Sequence, residues 1–190
     1  YGFTTSFKED IKVNSEEVTF NFPPDFKIWF PEEETFQSHN ERNYKYLNIS
    51  DLSSPRFCST PALVDAGSGI KVAISESELE DYAGLWLKGT GTNSLRGIFP
   101  GYALDVKQQN DRDVVVTKHA DYLAQTKGTR SFPWRVMAIS RNDGELITNQ
   151  LVYLLSKPSQ FEDTSWIKPG KVPWDWWNYN NIYGVDFRAG

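Results

Sequence analysis

Residues 70–84 read Ile-Lys-Val-Ala-Ile-Ser-Glu-Ser-Glu-Leu-Glu-Asp-Tyr-Ala-Gly, and the two halves of this stretch follow different rules. Ile70–Ile74 alternates β-branched residues with others at a period of two, the signature of a half-buried strand. Ser75 followed three residues on by Glu78 matches a helix-capping box, so a helical turn is expected over Ser75–Tyr82, closed by Gly84. Glu76 then stands at the end of the strand, where side chains project from the rim of a sheet.

The strand half sets the pattern for the rest of the chain. Similar runs occur at Glu17–Phe22, Lys27–Phe30, Tyr102–Lys107, Val114–Thr117, Trp134–Ile139 and Gln150–Leu155. Strands of about five residues separated by turn signals indicate antiparallel sheets stacked as a sandwich. Pro23-Pro24 and Pro31 break strands, Ala66-Gly67-Ser68-Gly69 supplies positive φ, and Asn142-Asp-Gly-Glu145 suits a tight hairpin. Only Asp121–Gln125 offers a second helical reading, and it is short. Parallel crossover units are not visible.

Composition bounds the possibilities. With 190 residues, 39% apolar and 15% aromatic, the chain has the length of one domain that buries roughly 70% of its unfolded surface. A charged fraction of 24% argues against disorder. The net charge of −5 comes with basic residues scattered singly, which gives no footprint for nucleic acid. No run reaches the ~20 apolar residues of a membrane span. The single cysteine, Cys58, excludes an internal disulfide and reads as a small buried hydrophobe. The chain opens on Tyr1 without a leader, so its numbering is expected to begin inside a longer precursor.

From Ser156 to Lys168 the texture turns polar and turn-forming, and a domain boundary is expected near Gln160: a β-sandwich over 1–160, then a linker and a new architecture over 161–190. Trp166–Gly190 holds four of the seven tryptophans and reads as the opening of an interrupted catalytic domain. Trp174, Trp176 and Trp177 around Asp175 place apolar faces beside a carboxylate. That suits a sugar cleft, where pyranose C–H faces stack and hydroxyls donate to the carboxylate, and it equally suits a core cluster.

Other candidates are weaker. The acidic set Glu76, Glu78, Glu80 and Asp81 offers oxygen ligands of the kind calcium takes, but lacks an EF-hand loop, and spacing alone makes it a solvated helix face. Glu32-Glu33-Glu34 reads as exposed charge. His39 and His119 have no ligand-spaced neighbours, and neither a nucleophile elbow nor a phosphate-binding glycine loop is present.

Taken in order, Ile28-Trp-Phe-Pro31, Val72-Ala-Ile-Ser-Glu76 running to Asp81-Tyr-Ala-Gly84, Phe132-Pro-Trp-Arg135 and Thr164-Ser-Trp-Ile-Lys-Pro-Gly-Lys-Val-Pro-Trp-Asp-Trp-Trp177 resemble glycoside hydrolase family 97, the bacterial α-glucosidases and α-galactosidases. The resemblance implies the latter part of an N-terminal β-super-sandwich, followed at Lys168–Trp177 by the first strand of a (β/α)8 barrel. Trp174, Asp175, Trp176 and Trp177 would then stand at the substrate-binding rim. It also implies a calcium ion near the catalytic carboxylates, with Glu76 as the ligand contributed by this domain, while Glu78 and Glu80 keep the solvated reading.

The catalytic carboxylates would lie on later strands outside this chain. The implied activity is exo-acting hydrolysis of terminal α-linked sugars from oligosaccharides, in the periplasm or at the surface of a Gram-negative bacterium. The fragment alone is expected to be inactive, its partner being the rest of the barrel, missing or supplied by another chain. The alternatives are a free-standing carbohydrate-binding module, with the tryptophans as a stacking platform, and a structural or interaction sandwich with the aromatics in its core.

Overall fold

A computed structural model describes residues 1–111 and 113–171. Contacts divide the chain into two units, Tyr1–Lys157 and Pro158–Gly190. The first is an antiparallel β-sandwich. One five-stranded sheet runs Thr19–Asn21, Ser94–Ile98, Trp86–Gly89, Phe57–Cys58, Glu32–Glu33 in spatial order, and the other runs Trp134–Ser140, Lys71–Ser77, Ala62–Asp65, Lys27–Phe30, Lys45–Asn48. Three two-stranded ladders complete it, pairing Thr4–Ser6 with Thr129–Ser131, Ile11–Val13 with Ala124–Thr126, and Ala103–Gln108 with Val114–His119.

Alternation along the strands builds the core. Ile28 and Phe30, Ala62 and Val64, and Val72 and Ile74 project from one sheet into a cluster shared with Phe20, Cys58, Leu87 and Leu95 of the other. Because side chains alternate with period two, Lys27, Trp29, Leu63, Ala73 and Ser75 fall on the opposite face of that sheet, which mixes polar and apolar residues. Pro31 separates Phe30, in one sheet, from Glu32, in the other, and marks the corner where the chain changes layers. Gly97 sits where strand and connection touch: a Cβ there would lie 2.3 Å from Val18 Cγ1, so only glycine permits the approach. Cys58 is fully buried in this core, as its apolar neighbours imply.

The structure corrects four local expectations. The capping box at Ser75 does not form, and the strand instead continues through Ser77, because each residue from Lys71 to Ser77 pairs with the Trp134–Ser140 strand. The break comes at Glu78, whose backbone turns to φ 62°. Asn142–Glu145 is not a hairpin: Asn142 N-caps the short helix Asp143–Ile147, its side-chain oxygen accepting from Glu145 N at 2.9 Å. Gln150–Leu155 is not a strand but contains the helical turn Leu151–Leu154. Its apolar run packs across the Lys71–Ser77 strand rather than extending a sheet, with Ser77 Oγ donating to Val152 O at 2.7 Å.

The fourth correction concerns Glu32 and Glu33, expected to be exposed. Glu33 is buried, accepting from Ser38 Oγ and from Arg42 Nε at 2.8 and 2.7 Å, and Glu32 is held by Arg56 and Lys45. A buried carboxylate must be paired, and the partners here, Ser38, Arg42 and Arg56 from connections and Lys45 from the Lys45–Asn48 strand, are not revealed by composition.

In the second unit the described residues 158–171 hold one hydrogen-bonded turn, closed by Ile167 N donating to Thr164 O at 3.0 Å, and are otherwise irregular. Asp163 accepts from Ser165 N at 2.9 Å, and Trp166 Nε1 donates to Asp163 O at 3.1 Å. Trp174, Asp175, Trp176 and Trp177 lie outside the described residues. Among the described residues no helix is long and apolar enough to cross a membrane.

Candidate functional site

Val72, Ile74 and Glu76 share one face of the seven-residue strand Lys71–Ser77, so the row that supplies core hydrophobes ends in a carboxylate. Directly across the ladder Arg135 pairs with Glu76, close enough for their side chains to interact. Arg135 is only 2% exposed. Its guanidinium donates from Nη1 to Glu76 Oε2 at 2.7 Å, and from Nε and Nη2 to the two oxygens of Glu16, each at 2.7 Å. Glu16 comes from the connection before the Thr19–Asn21 strand, and its side chain is nearly as buried as that of Arg135. The guanidinium also lies 4.8 Å from the Phe99 ring centroid and 5.9 Å from that of Tyr82.

The cluster is held tightly because burying ions is expensive. Each buried charge costs several kcal/mol unless paired with good geometry, and the fork of Arg135 on Glu16 is the bidentate arrangement that supplies it. Glu76 is held from a second side, since Leu85 N donates to the same Oε2 at 2.9 Å. Its other oxygen, Oε1, takes no hydrogen bond among the described residues and faces Gly84, where an added Cβ would sit 3.3 Å away. Burial raises the Glu76 carboxyl above its ordinary value and outweighs the Leu85 N–H and the Arg135 charge, which lower it. One guanidinium against two carboxylates leaves a formal charge of −1.

Tyr82 closes the cluster. Its ring packs edge-on against Phe132 with centroids 5.2 Å apart. Its hydroxyl is buried near the Glu16 carboxylate without hydrogen-bond geometry. Burial first, and then the Glu16 charge, push the phenol well above its usual range.

The remaining acids are paired differently. Glu78 and Glu80 share Lys157, at 3.3 and 3.1 Å, and Asp81 meets Arg130 at 2.6 Å. Glu80 and Asp81 are largely exposed, and such pairs contribute little. Among the described residues no three His, Cys, Asp or Glu side chains gather as a metal site.

Glu32 gives a pH prediction. The hydrogen bond from Arg56 pulls its carboxyl from 4.5 down to about 2, against a smaller opposing cost of burial. A folded-state pKa below the unfolded value means stability fully present above 4.5 and lost as pH falls through about 2. Urea unfolding followed between pH 5 and 2 is expected to show this loss, and Glu32→Gln should flatten it. A slope unchanged by that substitution would remove Glu32 as the cause.

The sequence profile described as Glycosyl-hydrolase 97 N-terminal matches residues 1–158. The chain belongs to glycoside hydrolase family 97. Along 100% of its length it is 38% identical to a retaining α-galactosidase of Bacteroides thetaiotaomicron, of which it covers 30%. The family's fold is also evident in solved structures of a glycoside hydrolase family 97 enzyme from Pseudoalteromonas sp. strain K8. The acarbose complex superimposes with a TM-score of 0.66 at 18% identity, and the R171K variant with 0.68 at 19%. Each comparison covers 90% of this chain and 23% of the other. The chain thus spans less than a third of the family 97 proteins it matches.

Of the residues singled out from sequence, the structure places Glu76 in a buried polar cluster and separates it from Glu78 and Glu80. The partners that give Glu76 its setting, Arg135 and Glu16, carry no spacing signal. Arg135 was legible only as the last letter of the Phe132–Arg135 motif, and Glu16 stands 119 positions from it.

Proposed function

We propose that this chain is the β-sandwich portion of an exo-acting α-glycosidase that requires calcium, with the catalytic carboxylates on a barrel following it. The observation that carries the reading is the 38% identity to a retaining α-galactosidase along the whole chain, which favours terminal α-galactosides as substrate and retention at the anomeric carbon. On this reading Lys168–Trp177 is the first barrel strand, and Trp174, Asp175, Trp176 and Trp177 line the substrate cleft. The protein acts in the periplasm or at the cell surface of a Gram-negative bacterium.

Glu76 is the calcium ligand this chain supplies. Its chemistry fits a hard cation: a carboxylate with one oxygen fixed and the other without a donor, in a cluster of net charge −1. The remaining donors come from outside the described residues. When bound, calcium supplies positive charge that stabilises developing negative charge on the reacting groups. Glu76 would be the residue of this domain that holds the ion, its carboxylate fixed by Arg135 and Leu85 N.

The complete polypeptide is expected to hydrolyse aryl α-galactosides with retention, read by NMR of the first-formed anomer, and to lose turnover on chelation with recovery on added calcium. The isolated 190-residue chain is expected to show no turnover. Hydrolysis by that chain alone would sink the reading, as would inversion or preference for α-glucosides in the complete protein for its galactosidase half.

A further inference from the structure

We infer that Arg135 and Glu16 are positioning residues for Glu76, which together keep its carboxylate oriented, with one oxygen left open, for a cation. This rests on the proposal that Glu76 is a calcium ligand.

Orientation comes first. A glutamate has three rotatable side-chain bonds, and at a strand's end it would ordinarily sample several rotamers. Here Oε2 is held by donors from two separate elements, Arg135 Nη1 at 2.7 Å from the neighbouring strand and Leu85 N at 2.9 Å from the connection that follows the Lys71–Ser77 strand. Oε1 is thereby presented on one side, under Gly84.

The part played by Glu16 is less obvious. Arg135 alone against Glu76 would form a neutral pair and compete with any metal for the carboxylate. Glu16 removes that competition, because it takes the guanidinium fork with both oxygens at 2.7 Å. Arg135 is left with a single hydrogen bond to Glu76, and the cluster keeps its negative charge. Glu16 therefore acts on the cation without touching it, through a cluster whose rings and neighbouring strands leave little room for rearrangement. Groups that hold a metal's ligands commonly change affinity by about 10–100-fold when replaced.

The test is calcium titration calorimetry on the complete polypeptide, with folding checked by circular dichroism. Glu76→Gln is expected to abolish the binding isotherm. Arg135→Lys, which keeps the charge but cannot fork, and Glu16→Gln, which keeps the size but not the charge, are each expected to weaken calcium binding about 10–100-fold. Glu32→Gln, which breaks a different partly buried ion pair, should leave calcium affinity unchanged, separating positioning from general loss of stability. Should Arg135→Lys fail to fold, Glu16→Gln carries the test. Calcium affinity within twofold of wild type in folded Arg135→Lys and Glu16→Gln, with Glu76→Gln inactive in binding, overturns the positioning role alone. Wild-type affinity in Glu76→Gln overturns the calcium reading and this inference with it.

Discussion

Arg135→Ala is expected to destabilise the chain by about 3–5 kcal/mol, the usual effect of breaking a buried ion pair by removing one partner. The magnitude follows from what stays behind. Glu16 and Glu76 would remain nearly enclosed, one with both oxygens stripped of their donors and the other relying on the Leu85 N–H alone. Two like charges would face each other across the space of a lost guanidinium, and one must take up a proton or the site must open to water. The stacking of the guanidinium on Phe99 is lost as well.

Equilibrium urea unfolding measures this through the midpoint at constant slope. Lys127→Ala serves as the comparison, because it removes an ion pair to Asp10 whose two side chains are 80% and 67% exposed, and it is expected to leave the midpoint where it is. A loss below about 1 kcal/mol for Arg135→Ala, the range of exposed pairs, would mean that the cluster is wetter than its burial indicates. Replacing Arg135, Glu16 and Glu76 together by apolar residues of similar volume should restore much of the loss, since buried ion clusters rarely stabilise relative to hydrophobic ones.

The same cluster shows where sequence reading works and where it stops. Period-two patterning at Lys27–Phe30, Ile70–Ile74 and Trp134–Ile139 located three strands, and with them the sandwich, because burial of one sheet face is written residue by residue along each strand. It failed at Ser75–Glu78, where a capping-box pattern was outcompeted by a full ladder to a strand some sixty positions away, which local spacing cannot register. It failed again at Gln150–Leu155, an apolar run short enough to suit a strand or a helical turn. Glu76 was singled out through its motif and its place at the expected end of the Ile70–Ile74 strand. Glu16 was not, because nothing in Asn14-Ser-Glu-Glu17 announces that one of two adjacent glutamates is enclosed while the other stays in solvent. Knowing that distinction requires the register of Glu76 opposite Arg135 and the loop that lands on both.

Phe30→Ala is expected to cost about 3–5 kcal/mol, the range for emptying a large aromatic from a packed core. Phe30 is fully buried and ends the Lys27–Phe30 strand immediately before Pro31, so it fills the corner where the chain leaves one sheet for the other. Proline fixes the backbone direction there, and the strand pairs with neighbours on both sides, so the corner has little freedom to collapse into a vacated space. The cavity cost therefore adds to the lost transfer free energy instead of being relieved.

The adjacent residue provides the control. Trp29 points to the opposite face, where its ring lies 4.4 Å from that of Tyr46 and both retain contact with solvent; Trp29→Ala should cost less than Phe30→Ala despite deleting more atoms. Phe30→Leu, which keeps most of the volume, should lose less than about 1.5 kcal/mol. If Trp29→Ala proved the more damaging of the two, the faces of this strand would be reversed. The Val72–Ile74–Glu76 row would then turn outward with it, because Ile28 and Val64 are aligned across the ladders with Val72. The order of those two losses thus reports on the core and on the direction in which Glu76 is presented.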